Sequence, residues 1–323
     1  MNNRLPSVTV IIAARPDQAE IKAVAAAREL DYPSDLIEII VARGKQPSVQ
    51  RNTALRAARG ELVFFLDDDS VALPESLRRA VAHFADDKVK VVGGPNVCPP
   101  DAPALEQIFA LTLGNWIAFG PSRARYTPVG KLRDSGEKEL ILCNLVARRA
   151  TMQECGGFNE ALYPNEENAL MDDIQTRGGR LLYDPDLFIY RRPRRTIKAF
   201  AKMLMTYGRG RAEQVRVHPT SGSVLNFVPP LFCVFLVAFP LLVMVPVIGI
   251  ISLAALGIYV VAVLAQLVTL VPRCGVVRSL ETFPFIVLTH ILYGVGFWRG
   301  LFTKLSRAEN KPKFEVVLET VAR

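Results

Sequence analysis

Three consecutive carboxylates, Asp67, Asp68 and Asp69, close an apolar run that begins at Leu62. Adjacent carboxylates repel one another, and burial sharpens the repulsion. A divalent ion resolves it. Mg2+ or Mn2+ takes oxygen ligands from one or two carboxylates and fills its remaining positions with substrate phosphates. Asp67 and Asp69, two residues apart, are the pair that would hold such an ion against a nucleoside diphosphate. The competing reading is a solvated acidic turn leading into a helix that opens near Pro74.

The elements around these residues alternate. VTVIIA (Val8–Ala13) is a buried strand by its β-branched content, and LIEIIVA (Leu36–Ala42), Leu62–Leu66, Val89–Val92 and ILCNLVA (Ile141–Ala147) read as further strands. Helices are expected over Asp17–Leu30, over Ser48–Arg59 with Ser48 as cap, from Pro74, and over Glu166–Arg177 ahead of Gly178–Gly179. Short strands follow at Arg180–Tyr183 and Leu187–Tyr190. Strands alternating with helices predict a parallel sheet, whose ligands bind beyond the carboxyl ends of its strands. Asp67–Asp69 sit at such an end. LEQIFALTLGNWIAF (Leu105–Phe119) is apolar nearly all round and reads as a core helix or as a segment touching lipid.

Composition adds a membrane. Half of the 323 residues are hydrophobic and the net charge is +8. From Val224 to Phe302 the acidic residue is Glu281 and the basic ones are Arg273, Arg278 and Arg299. Phe227–Ile248, Ile250–Val271 and Phe283–Leu301 are three candidate spans, against a requirement of about 20 apolar residues. Pro229, Pro230, Pro240 and Pro246 break or kink the first. Three crossings would place the C-terminus opposite the N-terminal α/β region. Yet Arg273, Arg278, Lys304, Arg307, Lys311 and Lys313 favour the cytoplasmic side. Both hold only if one segment is re-entrant or interfacial, and the residues leave open which. Arg191, Arg192, Arg194, Arg195, Lys198 and Lys202 form a basic run, and Ile197, Phe200 and Leu204 lie on one side of the helix there, which suits a bilayer interface or a solvated face. The five cysteines form no CxxC pair and read as reduced thiols. No aromatic-studded basic stripe suggests nucleic acid. Val8–Ala14 is too short for a signal peptide.

FFLDDDS in this setting resembles the DxD motif of family 2 glycosyltransferases, inverting enzymes of GT-A fold. VTVIIAARPD is similar to the family's opening strand and loop. SVQRNTALRAARGELVFFLDDD resembles the segment feeding the motif, CNLVARRATMQECGGFNE its "N…R…GGF" block, and YPNEENALMDDIQTRGGRLLYDPDLFIY the block with the catalytic acid. RRPRRTIKAFAKMLMTYGRGR resembles the basic segment of membrane-bound members that extend exopolysaccharide repeats, of the succinoglycan type. The resemblance covers roughly residues 6–216. It implies an α/β fold: a GT-A, Rossmann-like, mostly parallel sheet followed by C-terminal transmembrane helices. The domains would be 1–222 (with an interfacial basic helix about 194–216), a membrane domain 223–303 and a polar tail 304–323.

For the site, the resemblance implies Glu167 as the base, with Glu166 second. Acids in a first helical turn also suit the helix dipole, and Asn165 is a good cap. Ala13, Arg15, Arg43, Gln50, Arg51, Asn52, Asp67, Asp68 and Asn144 would line the nucleotide sugar, Arg209 and Arg211 the leaving diphosphate, and Asp67 with Asp69 the Mg2+ or Mn2+. Two positions depart from the pattern. The acid that reads the base after the second strand is replaced by Ala42–Arg43–Gly44, and a histidine that can ligate the metal by Arg191. The chain also lacks the QxxRW motif of processive synthases. The expected activity is transfer of a sugar from a nucleotide sugar to a hydroxyl of a polyprenyl-linked acceptor, at the cytoplasmic face of the inner membrane, in cell-surface polysaccharide synthesis; a homo-oligomer is left open. Transfer to polyprenyl phosphate and a catalytically silent scaffold are the alternatives. A nucleotidyltransferase is disfavoured by the first loop, AARPDQAE, which is not glycine-rich.

Overall fold

The computed structural model describes residues 4–160, 162, 165–217, 221–305 and 315–322. They divide into two compact units. The first is drawn from Met1–Pro99, Ala124–Arg192 and Ser306–Arg323, the second from Pro100–Arg123 and Pro193–Leu305. Tyr163 and Pro164 of the acidic block, and Arg307, Lys311 and Lys313 of the tail, lie outside the described residues.

In chain order the first unit opens with β1 (Val8–Ala14), α1 (Lys22–Arg28), β2 (Ile37–Arg43), α2 (Pro47–Ala57), β3 (Leu62–Asp67), β4 (Val71–Ala72), α3 (Ser76–Ala82), β5 (Val89–Gly93) and β6 (Asn96–Val97). The second unit contributes α4 (Ala104–Leu113) and α5 (Trp116–Phe119). The first resumes with β7 (Arg133–Asp134), β8 (Asn144–Arg148), α6 (Arg149–Glu154), α7 (Glu166–Thr176), β9 (Arg180–Tyr183) and β10 (Ile189–Tyr190). The chain then returns to the second unit for α8 (Ile197–Val217), α9 (Val228–Leu242) and α10 (Pro246–Phe302), and β11 (Val317–Val321) belongs to the first.

An eight-stranded sheet in the order β11-β2-β1-β3-β8-β5-β9-β7 forms the centre of the first unit, and β4-β10-β6 make a small second sheet. The β-branched runs form strands because both faces are covered. Val8, Val10 and Ile12 of β1, with Leu62, Phe64 and Leu66 of β3, face a core shared with α1 and α3. Ile11, Val63 and Phe65 face the opposite core, with Ala54, Met152 and Ile174 from α2, α6 and α7. The two-residue period of a strand assigns alternate side chains to the two layers.

β2, β1 and β3 pair in parallel, as expected. β8, however, runs antiparallel between β3 and β5. The expected all-parallel sheet is thus mixed, although β2, β1, β3, β5 and β9 share one direction. Periodicity reports that a strand is buried and says nothing of its sense. The helix expected from Asp17 starts at Lys22, because residues 17–21 belong to the loop above β1. Gln46 holds the N-cap position of α2 and Ser48 is buried inside the first turn, so Ser48 is not the cap. Pro74 precedes rather than opens α3. The long apolar helix divides into α4 and α5 at Gly114–Asn115, where Asn115 Oδ1 accepts from the amides of Ile117 and Ala118. Where a polar tail was expected, β11 pairs antiparallel with β2, Glu319 opposite Val41.

In the second unit, Phe109 of α4 stacks on Phe200 of α8 at 4.1 Å. Phe200 and Leu204 are fully buried while Ile197 is exposed, so α8 presents its apolar face to protein along that stretch. The three apolar candidates resolve into α9 and α10, and α10 is interrupted at Gly275, whose φ of 80° only glycine adopts readily.

Asp184, in the YDP stretch ahead of β10, ties the first unit together. Its carboxylate accepts from Arg79 Nε at 2.7 Å and Nη2 at 3.0 Å, from the Asp186 amide at 3.0 Å, and meets His83 Nε2 at 2.9 Å. Burial pushes its pKa up, and the hydrogen bonds from His83, Arg79 and the Asp186 amide outweigh it, leaving the carboxyl well below the usual range. A depressed folded pKa stabilises above the unfolded value of about 3.9 and loses that contribution as pH falls below it. Asp184→Asn should therefore cost about 2 kcal/mol near neutrality. In thermal unfolding, the gap between wild type and variant should be full above pH 5 and shrink below pH 4.

Candidate active site

The parallel register aligns Ala13 at the end of β1 with Asp67 at the end of β3 and with Ala42 near the end of β2. The acidic run therefore emerges at the carboxyl edge of the parallel strands, where open α/β sheets bind ligands. A turn follows at once, with the Ser70 amide donating to the Asp67 carbonyl at 3.0 Å.

β4, which leaves that turn, pairs antiparallel with β10, Val71 opposite Tyr190. The register carries Arg191, one residue beyond β10, to the acids. Its Nη2 lies 3.0 Å from Asp67 Oδ2 and its Nε 2.6 Å from Asp69 Oδ1. Arg51 on α2 approaches from the other side, with Nη2 2.7 Å from Asp67 Oδ1 and Nη1 3.3 Å from Glu166 Oε1. Asp67 is thus held between two guanidinium groups, and Arg51 couples it to the start of α7. Asp68 points elsewhere: burial and the neighbouring Asp69 raise its pKa, against a hydrogen bond from Gln18.

Glu166 is almost fully buried at 2% exposure, and Glu167 beside it is partly exposed. Burial, then the charge of Glu167, raises the Glu166 pKa to about 7, opposed by Arg51. Asn165 occupies the N-cap position but makes no side-chain cap bond; its Oδ1 accepts from Asn168 Nδ2 at 2.9 Å. Side-chain capping therefore does not account for the residues that open α7.

Other expected site residues hold the frame. Gln50 Nε2 donates to the carbonyls of Ala14 at 2.7 Å and Ala42 at 2.6 Å, pinning the ends of β1 and β2. Asn52 Nδ2 donates to the Phe158 carbonyl at 2.8 Å and its Oδ1 accepts from the Phe158 amide at 2.8 Å. Asn144 Nδ2 donates to the carbonyls of Leu187 at 2.6 Å and Pro95 at 3.3 Å. Arg43 Nη1 donates to the carbonyls of Gln18 and Arg15, at 2.8 and 3.3 Å, and its Nε to Glu319 Oε1 at 2.7 Å. The Arg15 side chain is exposed. Arg209 and Arg211 lie on α8 in the second unit, beside Glu213 and Gln214 respectively. Sequence reasoning missed Glu319 and Gln18. The alternation in VVLETV could have revealed Glu319's strand, whereas Gln18 carries no local signal.

Residues 1–206 match the model of the glycosyltransferase like family 2. The chain belongs to that family. Over 192 residues it is 26% identical to the pre-mycofactocin glycosyltransferase of Mycobacterium tuberculosis, in both strains H37Rv and CDC 1551. That match covers 56% of this chain and only 37% of the relative's length. A mannosyltransferase from Pyrobaculum calidifontis, solved with GDP-mannose and Mn2+, superposes with a TM-score of 0.54 at 18% identity, covering 93% of this chain and 88% of that one. This likeness shows a shared fold.

In this member of the family the carboxylates of Asp67 and Asp69 converge on one cationic group, the Arg191 guanidinium. Hard oxygen donors converging in this way suit Mg2+ or Mn2+. Asp67 and Asp69 are the residues that would hold it; among the described residues no set of three or more His, Cys, Asp or Glu side chains is gathered for a metal. Arg191 is already hydrogen-bonded to both carboxylates and would compete with an ion for them. Arg191→Ala should tighten Mn2+ binding by the isolated protein severalfold, read from the signal of free Mn2+ in electron paramagnetic resonance. Unchanged affinity would show that the guanidinium and the ion do not compete.

Proposed function

We propose that the chain transfers a sugar, with inversion, from a nucleotide-sugar donor to a hydroxyl of a polyprenyl-linked acceptor in cell-surface glycan synthesis. The observation that carries the reading is the convergence of Asp67 and Asp69 on one cation, at the carboxyl edge of the sheet and linked through Arg51 to the acids of α7. Family membership and the fold shared with an enzyme solved with GDP-mannose and Mn2+ support it. The long apolar helices support a membrane location, with the first unit facing the cytoplasm.

In-line displacement at the anomeric carbon needs a base for the acceptor hydroxyl and neutralisation of the departing diphosphate. Glu167, the more exposed of the two acids, takes the hydroxyl proton. Glu166, buried against Arg51, positions that guanidinium and Asp67. Asp67 and Asp69 would hold a divalent ion, which when bound would supply positive charge to the diphosphate. Arg191 and Arg51 place two further cations at the same edge, and an arginine's forked donors suit phosphate oxygens.

The test is a screen of UDP-, GDP- and dTDP-sugars for transfer by membranes containing the protein, with analysis of the linkage formed. A glycosidic product supports the reading; a phosphodiester-linked sugar identifies polyprenyl phosphate as acceptor and removes the need for a base. Glu167→Gln should lower kcat by roughly 10²–10⁴ while sparing donor binding. Glu166 is charged only above about pH 7, so activity should rise through that pH as its pairing with Arg51 strengthens. In Glu166→Gln that rise should vanish while turnover persists. Loss of all turnover in Glu166→Gln, with Glu167→Gln active, would reverse the two roles.

A further inference from the structure

Two observations independent of the active site bear on how the chain meets the bilayer. The first is β11. It lies beyond every apolar segment, yet it is hydrogen-bonded to β2 in the same sheet as β1 and β3. Two strands of one sheet lie on one side of a membrane. The chain between them therefore crosses an even number of times, and three crossings are excluded.

The second observation selects the segment that does not cross. α9 and the part of α10 before its break, residues 246–274, form a helical hairpin joined by Val243–Val245, with Phe232 4.7 Å from Tyr259 between ring centres. Val237, Leu241, Met244, Ile250 and Ile258 are each at least 70% exposed. That much exposed aliphatic surface has no stable place in water. With its preceding turn, the first arm runs Val224–Leu242, about 30 Å at helical rises of 1.5–2 Å per residue, the thickness of a bilayer core. The second arm is longer.

Residues 276–302 are set apart by what they pack on, since Val276, Val277 and Leu280 are more than half exposed there too. Ser279, Thr282, Ile286, Thr289 and Phe297 are buried, and Gly296 and Gly300 admit the backbone of α8 at Met205 and Arg209 so closely that no Cβ fits. At the far end, Arg216 at the foot of α8 donates to the carbonyls of Gly300 at 3.0 Å and Thr303 at 2.6 Å. Trp298 Nε1 donates to the Pro230 carbonyl at 3.0 Å, and Phe227 meets Phe297 at 4.9 Å, both at the start of α9. The segment thus begins where the second arm ends and finishes where the first arm starts. In an antiparallel hairpin those are the same end.

We infer that the lipid surface of this protein is a hairpin of two crossings, Val224–Leu242 and the arm of α10 that begins at Pro246, and that residues 276–302 begin and end on the side of the first unit, packed on α8 and, through His290 at 2.8 Å from Tyr259, on that arm. Charge agrees. Val243–Val245 carries none, whereas Arg273, Arg278, Arg299 and Lys304 fall at the opposite end with Lys198, Lys202 and Arg216 of α8. Positive residues flank the cytoplasmic ends of spanning helices. This inference rests on the membrane reading above and resolves a point that reading leaves open.

The test labels the full-length protein in intact cells with a membrane-impermeant maleimide, the unaltered protein with its native cysteines serving as background. Met244→Cys should label from outside. Thr303→Cys should label only after permeabilisation, as should an epitope placed after Arg323, which needs no substitution in the fold. External labelling of Thr303→Cys or of the epitope would overturn the topology while leaving membrane attachment intact. Met244→Cys protected until permeabilisation would overturn the two crossings. Release of the protein by alkaline carbonate would overturn membrane integration itself, and the hairpin with it.

Discussion

The site depends on one electrostatic constraint: acids at the mouth of a buried strand must be met by cations. Asp67 is met on both sides, by Arg51 and Arg191. One arginine comes from the helix before β3 and the other from beyond β10, more than a hundred residues later. Keeping both in place requires α2 to lie against β1, through Gln50, and β10 to pair with β4. Much of the first unit can be read as the means of bringing two guanidinium groups to one carboxylate. The same contacts set the terms for any other cation. Were Asp67 and Asp69 to hold a divalent ion, their hydrogen bonds to the Arg191 guanidinium would have to be given up first, and the ion's affinity would be lowered by what those contacts are worth.

The first half of the sheet was legible because its signals are local. β1, β2 and β3 are runs of β-branched and aromatic residues too apolar to be anything but buried, and their positions agree with the sequence to within a residue or two. The antiparallel sense of β8 was not legible, since direction follows from the path of the connections and not from composition. Ser48 and Pro74 misled for a related reason: each is a good helix opener by type, but tertiary packing placed the helix boundaries one or two residues away. The site was legible as a set of positions and less so as a set of roles. Gln50, Asn52 and Asn144 carry polar side chains beside the acids, and each is spent on backbone carbonyls or amides. No spacing rule distinguishes a carboxamide that faces a ligand from one that closes a loop.

Arg191 shows the opposite case. Its sequence position marks it as unusual, and only the β4–β10 register shows that it reaches both Asp67 and Asp69. The acids of α7 are similar. Two glutamates at a helix start suit the macrodipole anywhere, but the burial of Glu166 against Arg51 separates its environment from that of Glu167. Environment, not residue type, gives neighbouring carboxyls different tasks.

The pairing of β11 with β2 also constrains how the protein is made. Ribosomes deliver a chain from its N-terminus, and domains ordinarily fold as they emerge. Here the sheet's border stays an open edge until the apolar helices have been synthesised and a late strand can return to cover it. An uncovered edge invites pairing with other chains. Maturation of the first unit is thereby coupled to completion of the apolar helices, and a nascent molecule that stalls among them is left with an exposed β-edge as a mark of its incompleteness.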